Sequence, residues 1–280
     1  MKQQKIAFYN PPFPRIKSFY EMIDLAVEYG LPAVEGFCHM ELTEPDVEAA
    51  KKIRAYADEK GIVFCCFSVY ADLVGEDSEA QIERMKGFTD VAAILGSPFI
   101  HHTVIITNDH ARLTPENKEK LFYKGIDGIR QVYDYAATLG VRAVYEDQAF
   151  VYNGLEGFSR LLAEVDRDIG VVADLGNICQ MEEEIQPIIR RFPDKIVHVH
   201  IKDMKWSKTK APDSDCTWPT WQGNWVKEVE IGQGGVNFDE CFALLKEIGY
   251  DGYYGLEYFA KSDDSPAIDE ALEKLHNWLA

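Results

Sequence analysis

The sequence predicts a (β/α)8 TIM barrel, a single α/β domain, and three observations lead to this prediction. The 280 residues alternate eight times between a short apolar run and a segment with helical periodicity. At four places a glycine ends a helix and a short turn leads into the next apolar run. No glycine-rich phosphate turn follows the first strand, although an open doubly wound sheet usually carries one. We therefore expect one barrel that covers residues 1–280.

The predicted strands are short apolar runs with many β-branched and aromatic residues, which favour extended backbone. In chain order they are residues 5–9, 32–36, 62–68, 98–103, 142–146, 170–174, 195–200 and 253–258.

The predicted helices carry their apolar residues on one stripe, as Phe19, Met22 and Ile23 do in the first helix. Pro45 lies near the first turn of the second helix, where a missing N–H does no harm. In chain order the helices are predicted at residues 19–30, 44–61, 79–96, 116–140, 154–165, 181–191, 238–249 and 265–280.

A tryptophan-rich segment, residues 205–230, interrupts this alternation, and it holds four of the five tryptophans. We predict a loop at about 204–231, because a long irregular stretch after a barrel strand is more often functional than structureless. Trp206 and its neighbours are expected to pack the loop and to cover part of a bound substrate. The alternative is that these rings pack only on their own barrel or on a second subunit of a homo-oligomer.

Composition limits the classes of partner. The formal net charge of −18 repels polyanions, and the sequence contains no clustered basic patch, so we expect no nucleic acid partner. No apolar run approaches the roughly 18–20 residues that span a bilayer, and the first residues lack the apolar core of a signal peptide. The six cysteines form no CxxC pair. We therefore predict a cytoplasmic protein without a membrane partner.

Ionisable residues end most of the predicted strands, where the active sites of such barrels lie. Buried strands normally end in apolar or small residues, so the set as a whole indicates a functional site, although any one of these residues alone is also compatible with a surface position. The set comprises Glu35, His101, His102, Glu146, Asp174, His200 and Glu257.

The last four of these residues predict a cation site. Glu146, Asp174, His200 and Glu257 end the fifth to eighth strands, which are neighbours in a barrel. Three carboxylates and one imidazole form a hard donor set that suits Mn²⁺, Mg²⁺ or Co²⁺. Without a cation, the carboxylates would raise one another's pKa values.

The seventh strand adds two polar side chains to the same face. His198, His200 and Lys202 alternate with Val199 and Ile201, so the polar three share one side of the strand. We expect His198 one layer deeper in the barrel, either supporting His200 or simply packed. Lys202 is expected to reach toward a substrate.

The order Glu146, Asp174, His200 and Glu257, with the motifs HVHIKD (198–203) and IGQGGVNF (231–238), resembles the sugar phosphate isomerase/epimerase superfamily, the xylose isomerase-like TIM barrels (AP endonuclease family 2). The resemblance covers essentially the whole chain. It implies that these four residues bind one divalent cation, with Mn²⁺ expected and Mg²⁺, Co²⁺ or Zn²⁺ as alternatives. It also implies that Glu146 and Glu257 form the acid/base pair on opposite faces of a bound sugar.

Two positions depart from the epimerases of this superfamily. Asn177 stands where the epimerases carry a histidine three residues after the aspartate ligand, and Glu146-Asp147-Gln148 replaces the frequent Glu-Asn-His. Both changes remove an imidazole but keep hydrogen-bonding groups. They leave room for an inosose dehydratase or related lyase, in which Lys202 or His198 would protonate the leaving hydroxyl.

We expect seven substrate contacts: Asn177, Lys202, His101, His102, Gln148, Glu35 and Trp206. His101 and His102 point to opposite faces of their strand, so only one of them faces the site. The alternation of side chains along the strand does not show which one.

The sequence therefore predicts a divalent-metal-dependent isomerase or epimerase of a small sugar, keto-sugar or inosose. A carboxylate would abstract the proton and the metal would stabilise the enediolate. The alternatives are the lyase, an endonuclease IV-like DNA-repair enzyme and a non-catalytic sugar-binding barrel. Seven histidines in all and a net charge of −18 argue against the DNA-repair enzyme. The absence of an obvious phosphate cradle favours a free sugar over a phosphorylated one.

Overall fold

A computed structural model of the chain describes residues 4–9, 12–105, 113–210, 216–258, 263 and 266–280, and the structural statements below concern these residues. The strands in chain order are β1 (Ile6–Tyr9), β2 (Ala33–Phe37), β3 (Val63–Val69), β4 (Phe99–His102), β5 (Arg142–Glu146), β6 (Gly170–Asp174), β7 (Ile196–Ile201), β8 (Asp203–Ser207), β9 (Thr217–Pro219), β10 (Trp225–Val229) and β11 (Tyr254–Leu256).

Eight parallel strands close into a barrel in the order β1-β11-β7-β6-β5-β4-β3-β2. This confirms the predicted (β/α)8 barrel and its single domain. Side chains alternate along each strand between the barrel interior and the layer under the helices. In β7, for example, Val199 and Ile201 belong to the large apolar core, while His198 and His200 lie on the opposite face, within hydrogen-bonding distance of Glu35. Cys65 and Cys66 are buried in small apolar clusters, as the apolar run around them indicates.

The helices are α1 (Phe19–Glu28), α2 (Val47–Lys60), α3 (Ser78–Leu95), α4 (Pro115–Thr138), α5 (Ala149–Tyr152), α6 (Gly154–Glu164), α7 (Gln186–Arg191), α8 (Phe238–Glu247) and α9 (Ala267–Trp278). Their ends follow the expected chemistry. The Asp46 side chain accepts hydrogen bonds from the N–H groups of Glu48 and Ala49 at the start of α2. Gly61 ends the same helix at a φ of 71°, a left-handed conformation that favours glycine.

The predicted helix at 181–191 is shorter in the structure, because only α7 (Gln186–Arg191) is α-helical there. A 3₁₀ turn, Asn177–Met181, follows β6, and Glu182 after it has a left-handed φ of 59° that keeps the helix from starting at 181. Pro187 lies in the first turn of α7, where a proline is tolerated. No helix in the described part of the chain is both long and apolar enough to cross a bilayer.

The tryptophan-rich segment forms a small antiparallel sheet, β8-β10-β9, rather than an irregular loop. Trp225 and Val226 in β10 pair with Ser207 and Trp206 in β8. Tryptophan, valine and threonine favour strands, and the segment holds enough of them to form a hairpin. Residues 211–215 of the segment lie outside the described residues.

The motifs HVHIKD (198–203) and IGQGGVNF (231–238) contact each other through Asp203. Its Oδ2 accepts hydrogen bonds at 2.8 Å from the N–H groups of Gly232 and Gly234, and its Oδ1 accepts one at 2.9 Å from Met204 and one at 3.3 Å from Val236. A Cβ atom on Gly234 would lie 2.1 Å from Oδ1 of Asp203, so this close approach requires glycine. The aspartate thus holds the turn that precedes α8 at the rim of the barrel.

Candidate active site

Four ionisable side chains converge where β5, β6, β7 and β11 end. Each of Glu146, Asp174, His200 and Glu257 offers one donor atom, and these atoms all lie within 4.8 Å of one another. The strand register explains this convergence, because Asp174 and Gly255 both pair with His200. The side chains of Asp174 and His200 are fully buried, whereas 13% of the Glu257 side chain is exposed.

His200 lies at the centre of this cluster. Its Nδ1 is 3.1 Å from Oε2 of Glu146, 3.5 Å from Oε2 of Glu257 and 3.8 Å from Oδ2 of Asp174. One ring nitrogen therefore faces all three carboxylates.

Asp174 is held rigidly through only one of its oxygens. Oδ1 accepts hydrogen bonds at 2.8 Å from the N–H groups of Gly176 and Asn177. Oδ2 is buried and makes no hydrogen bond. A buried carboxylate oxygen without a hydrogen bond is costly, and a cation ligated by the cluster would satisfy it. The hard donor set and this oxygen without a hydrogen bond both fit a divalent cation.

Lys202 supplies positive charge at the edge of the cluster. Its Nζ is 2.5 Å from Oε1 of Glu257, 3.5 Å from Oδ2 of Asp174 and 3.3 Å from Oδ1 of Asn177. Its aliphatic chain lies against Gly176, where a Cβ atom would come within 2.9 Å of Cγ of the lysine. This glycine lets Lys202 reach two of the four convergent residues.

Burial and mutual repulsion shift the protonation of the cluster. Burial and the negative charges of Asp174 and Glu146 raise the pKa of Glu257, whereas the positive charge of Lys202 lowers it. The resulting pKa is about 8. Burial also opposes ionisation of Asp174, but Lys202 and His200 hold its pKa below the usual value. Although burial lowers the pKa of His200, the surrounding carboxylates raise it above the usual value. The cluster thus carries more negative charge than its buried position tolerates.

Asp147, directly after Glu146, is also fully buried, and neither of its carboxylate oxygens makes a hydrogen bond that meets ordinary geometric criteria. Burial raises its pKa well above the usual value, and the charges of Asp174 and Glu146 raise it further. Burial therefore disfavours the ionised form of Asp147 beside the cluster.

A cavity of about 310 Å³ opens next to the cluster. Its aromatic wall holds Tyr9, Phe37 and Tyr70, where the Phe37 and Tyr70 rings pack edge to face at 4.9 Å between centroids. A second set of lining residues carries amides. The amides belong to Gln148, Asn177 and Gln180, and the lining also includes His101, Glu146, Lys202, Trp218, Glu228 and Glu257.

The structure distinguishes the two adjacent histidines of β4. His101 lines the cavity, its Nδ1 is 2.9 Å from the Ser68 hydroxyl, and its Nε2 is 3.7 Å from Oε1 of Glu146. His102 points the other way, where its Nε2 is 2.8 Å from the hydroxyl of Tyr145 and its Nδ1 is 2.8 Å from the Thr103 carbonyl oxygen. Burial lowers the pKa of His102 to about 4. Of the two, His101 is the one beside the cluster.

Two further residues expected at a substrate lie elsewhere. Glu35 is fully buried and does not line the cavity, because its carboxylate is bonded to His198, His200 and Ser68. Trp206 is also absent from the lining, because its ring packs against Gly235 and its Nε1 donates to the Cys179 carbonyl oxygen. Trp218 of the same segment lines the cavity in its place.

The sequence reasoning did not single out the aromatic wall. Tyr9 is the last residue of β1 and Phe37 the last of β2, so they occupy the same strand-end positions as the ionisable residues. A search of strand ends for aromatic residues as well as charged ones would have found both. Tyr70, which directly follows β3, would have been found in the same way.

The chain was compared with known proteins. A family model described as "Xylose isomerase-like TIM barrel" matches residues 23–279. A curated relative, the L-ribulose-5-phosphate 3-epimerase UlaE of Salmonella paratyphi C, is 30% identical over 106 residues, which cover 38% of this chain and 31% of the relative. The match thus spans about a third of that relative's length.

Two solved structures share the whole fold. The IOLI protein, solved with a bound zinc atom, has a TM-score of 0.77 and 19% identity, and the match covers 99% of this chain and 98% of that one. The probable 3-DHS dehydratase AsbF of Bacillus anthracis has a TM-score of 0.76 and 18% identity, covering 98% of this chain and 99% of that one. At such identities the likeness establishes the fold and nothing further.

Proposed function

The chain belongs to the xylose isomerase-like TIM barrel family, and from that premise we propose that it is a divalent-cation-dependent isomerase or epimerase of a small sugar. The observation that carries the proposal is the convergence of Glu146, Asp174, His200 and Glu257, whose donor atoms lie within 4.8 Å of one another beside the cavity. The partial match to a sugar epimerase supports the same class of reaction.

Glu146, Asp174, His200 and Glu257 would hold the cation. Mn²⁺ is the expected ion for this hard donor set, and Mg²⁺, Co²⁺ or Zn²⁺ are the alternatives. The bound zinc of the IOLI protein supports the presence of a divalent ion on this fold. When bound, the cation would polarise a substrate carbonyl and stabilise the negative charge that develops on its oxygen.

Glu146 and Glu257 would exchange protons with the substrate. They come from β5 and β11, which β6 and β7 separate in the barrel, so the two carboxyl groups flank the cluster. One carboxylate takes the proton from the carbon next to the carbonyl, and the other returns a proton to the opposite face in an epimerase. A single carboxylate that takes and returns the proton suffices for aldose–ketose exchange.

The cavity lining suits a neutral polyol. The rings of Tyr9, Phe37 and Tyr70 offer an apolar face for C–H groups. The amides of Gln148, Asn177 and Gln180 can donate to and accept from hydroxyl groups.

The substrate is expected to be a free sugar rather than a phosphorylated one. Among the described lining residues the one lysine or arginine is Lys202, and Glu257 and Asp174 already offset its charge. Glu228 adds a carboxylate to the lining. A phosphate group would therefore meet more negative than positive charge at this site.

A lyase remains the second candidate, since water loss begins with the same proton abstraction. Lys202, whose Nζ lies 2.5 Å from Oε1 of Glu257, would supply a proton to a leaving hydroxyl. His198 is fully buried and bonded to Glu35, so it is not placed to do so. The likeness to a probable dehydratase is one of fold alone.

A proton-exchange assay separates these reactions. The Mn²⁺-loaded protein is incubated in D₂O with a panel of free ketoses, their 5-phosphates and inososes, and the products are followed by NMR. We expect deuterium to enter a C–H bond next to the carbonyl of a free sugar, with formation of its epimer or aldose. An unsaturated keto product would indicate the lyase instead.

Two variants control this assay. Glu257→Gln is expected to lower the exchange rate by a factor of about 10³, because a catalytic acid or base typically contributes a factor of about 10²–10⁴ to the rate. His102→Gln removes a buried histidine that faces away from the cluster, and it should retain activity. Equal rates in Glu257→Gln and the wild-type protein would overturn the proposed roles.

A further inference from the structure

A second layer of buried polar side chains lies next to the four-residue cluster, and the proposed proton transfer does not use it. Glu35 from β2 and His198 from β7 are fully buried, and Oε2 of Glu35 lies 2.6 Å from Nε2 of His198. Oε1 of Glu35 lies 3.1 Å from Nε2 of His200. The Ser68 hydroxyl donates to the same oxygen at 2.7 Å. Glu35 therefore connects the cluster to the layer beneath it.

These contacts are hydrogen bonds and not a second cation site. Two ligands that each lie about 2.1 Å from one tetrahedral zinc ion are roughly 3.4 Å apart. Oε2 of Glu35 and Nε2 of His198 are only 2.6 Å apart, which is a distance at which they share a proton. Glu35, His198 and His200 form a compact group that could be mistaken for a ligand set, but N–H···O bonds hold it together.

The Glu35 contact determines which nitrogen of His200 is available to bind a cation. An ionised carboxylate is only an acceptor, so the Nε2 of His200 that faces Glu35 must be an N–H donor. The neutral ring then keeps its lone pair on Nδ1. Nδ1 is the atom that faces Glu146, Asp174 and Glu257. The His200 ring is thus oriented as a ligand before any cation arrives.

The neighbouring strands keep Glu35 in this position. β11 passes so close that a Cβ atom on Gly255 would lie 2.8 Å from Oε2 of Glu35 and 3.3 Å from Nε2 of His198. Ser68 of β3 also contacts Nδ1 of His101 at 2.9 Å. The carboxylate is therefore fixed from β3, β7 and β11, and it has no room to rotate away from His200.

We propose that Glu35, held by His198 and Ser68 and by the close approach of Gly255, is a positioning residue that fixes the orientation and tautomer of His200 and thereby sets the cation affinity of the site. This inference rests on the proposed function, because it needs His200 to be a cation ligand. It adds residues from β2 and β3 to a site whose four convergent residues lie at the ends of β5, β6, β7 and β11.

The first test compares Mn²⁺ affinities by titration calorimetry for the wild-type protein, Glu35→Gln, Glu35→Leu and Gly255→Ala. Loss of such a supporting contact typically weakens metal binding about 10- to 100-fold. We expect about a tenfold loss for Glu35→Gln, which keeps one acceptor oxygen, and about a hundredfold loss for Glu35→Leu, which keeps none. Gly255→Ala should also weaken binding, because its Cβ atom displaces the Glu35 carboxylate.

His102→Gln is the matched control, since it removes a buried histidine with two hydrogen bonds on the opposite face of β4. Its Mn²⁺ affinity should equal that of the wild-type protein even if its melting temperature falls. Circular dichroism shows whether each variant folds. If Glu35→Leu does not fold, the comparison of Mn²⁺ affinities uses Glu35→Gln, which is the most conservative change.

The second test reads the tautomer directly. The Zn²⁺-loaded protein is labelled with ¹⁵N in its histidine rings, and the His200 signal is assigned by its loss in His200→Gln. In the wild-type protein we expect a proton on Nε2 alone. In Glu35→Leu the Nε2–H signal should broaden or shift, because the ring has lost its acceptor. A merely structural role for Glu35 would change the melting temperature and leave this signal unaltered.

The outcomes separate the inference from its premise. If the wild-type protein binds no Mn²⁺, the proposed function and this inference both fail. If the wild-type protein binds Mn²⁺ and Glu35→Gln and Gly255→Ala bind it equally well, the inference is overturned and the proposed function stands. Equal losses in these variants and in His102→Gln would also overturn it.

Discussion

At the scale of single residues, buried charge links the cluster to pH. Burial and two neighbouring carboxylates raise the pKa of Glu257 to about 8, so this group holds a proton at neutral pH in the metal-free protein. A cation that binds Glu257 must displace that proton. Proton and cation therefore compete for the same oxygen atoms.

The apparent affinity for Mn²⁺ should consequently rise with pH until Glu257 is ionised near pH 8. Each displaced proton increases the affinity by up to about tenfold per pH unit, and Nδ1 of His200, a group whose pKa the carboxylates also raise, must lose its proton as well. Titration calorimetry between about pH 6 and pH 8, in two buffers of different ionisation enthalpy, measures both the affinity and the protons released. An affinity that does not change over this interval would contradict the assigned protonation of Glu257.

Asp147 gives a second prediction at this scale, for the stability of the metal-free protein. Its pKa is raised in the folded state, so its stabilising contribution is fully present below the unfolded-state pKa of about 3.9 and is lost as pH rises. Asp147→Asn removes this dependence. We expect the stability difference, variant minus wild type, to increase by up to about 1.4 kcal/mol per pH unit across the acidic to neutral range.

Urea unfolding of both proteins at several pH values, with chelator present, measures this difference. Asp90→Asn is a suitable control, because Asp90 is partly exposed and accepts a hydrogen bond from the Tyr135 hydroxyl. Parallel stability curves for the wild-type protein and Asp147→Asn would show that Asp147 is ionised in the folded state.

Single residues also show where sequence reasoning reached its limit. Strand-end positions were enough to predict that Glu146, Asp174, His200 and Glu257 converge, because their order along the chain is also their order around the barrel. Parity could not distinguish His101 from His102, since it fixes only that they point apart. The Glu35–His198 contact joins β2 to β7, which are not neighbours, so it depends on how the barrel interior is filled.

At the scale of elements, Asp203 connects the end of β7 to the turn before α8. Four backbone N–H groups, from Met204, Gly232, Gly234 and Val236, donate to its buried carboxylate. The side chain therefore joins the motifs HVHIKD and IGQGGVNF in the fold. They form one structural unit that supports the rim next to Lys202.

Asp203→Asn should destabilise the protein, because an amide presents one acceptor oxygen to four N–H donors. Hydrogen bonds to charged groups contribute about 1.5–3 kcal/mol each, so we expect a loss of about 2–4 kcal/mol. Chemical denaturation measures it, with Asp46→Asn, which keeps a helix-capping side chain on α2, as the control. A loss below about 0.5 kcal/mol, the usual range for surface substitutions, would show that the turn is held by other contacts.

Elements with a clear period were predicted closely, and segments that depend on tertiary contacts were not. The run at 142–146 and strand β5 (Arg142–Glu146) have the same bounds, and so do the run at 170–174 and β6 (Gly170–Asp174). The helix predicted at 181–191 shrinks to α7 (Gln186–Arg191), because Glu182 adopts a left-handed φ of 59° that breaks the helical backbone. The small sheet of the tryptophan-rich segment was missed, since its pairs join residues far apart in a stretch without clear alternation.

At the scale of the whole molecule, the repeated alternation was sufficient to predict the closed barrel. Eight repeats with glycine-ended helices leave few other topologies. The TM-scores of 0.77 and 0.76 at 19% and 18% identity show that this fold tolerates extensive sequence change. The side chains of the cavity wall set the identity of the substrate. The alternation of strands and helices along the sequence does not determine these side chains.

The most direct test of the central claim, that the four convergent residues bind one divalent cation, is the metal content of the purified protein by elemental analysis. The wild-type protein and Glu257→Gln are measured after incubation with Mn²⁺ and removal of free metal. We predict about one equivalent of divalent metal in the wild-type protein, as expected for a single four-ligand site, and clearly less in the variant. No metal in either protein would contradict the cation site and the reaction proposed from it.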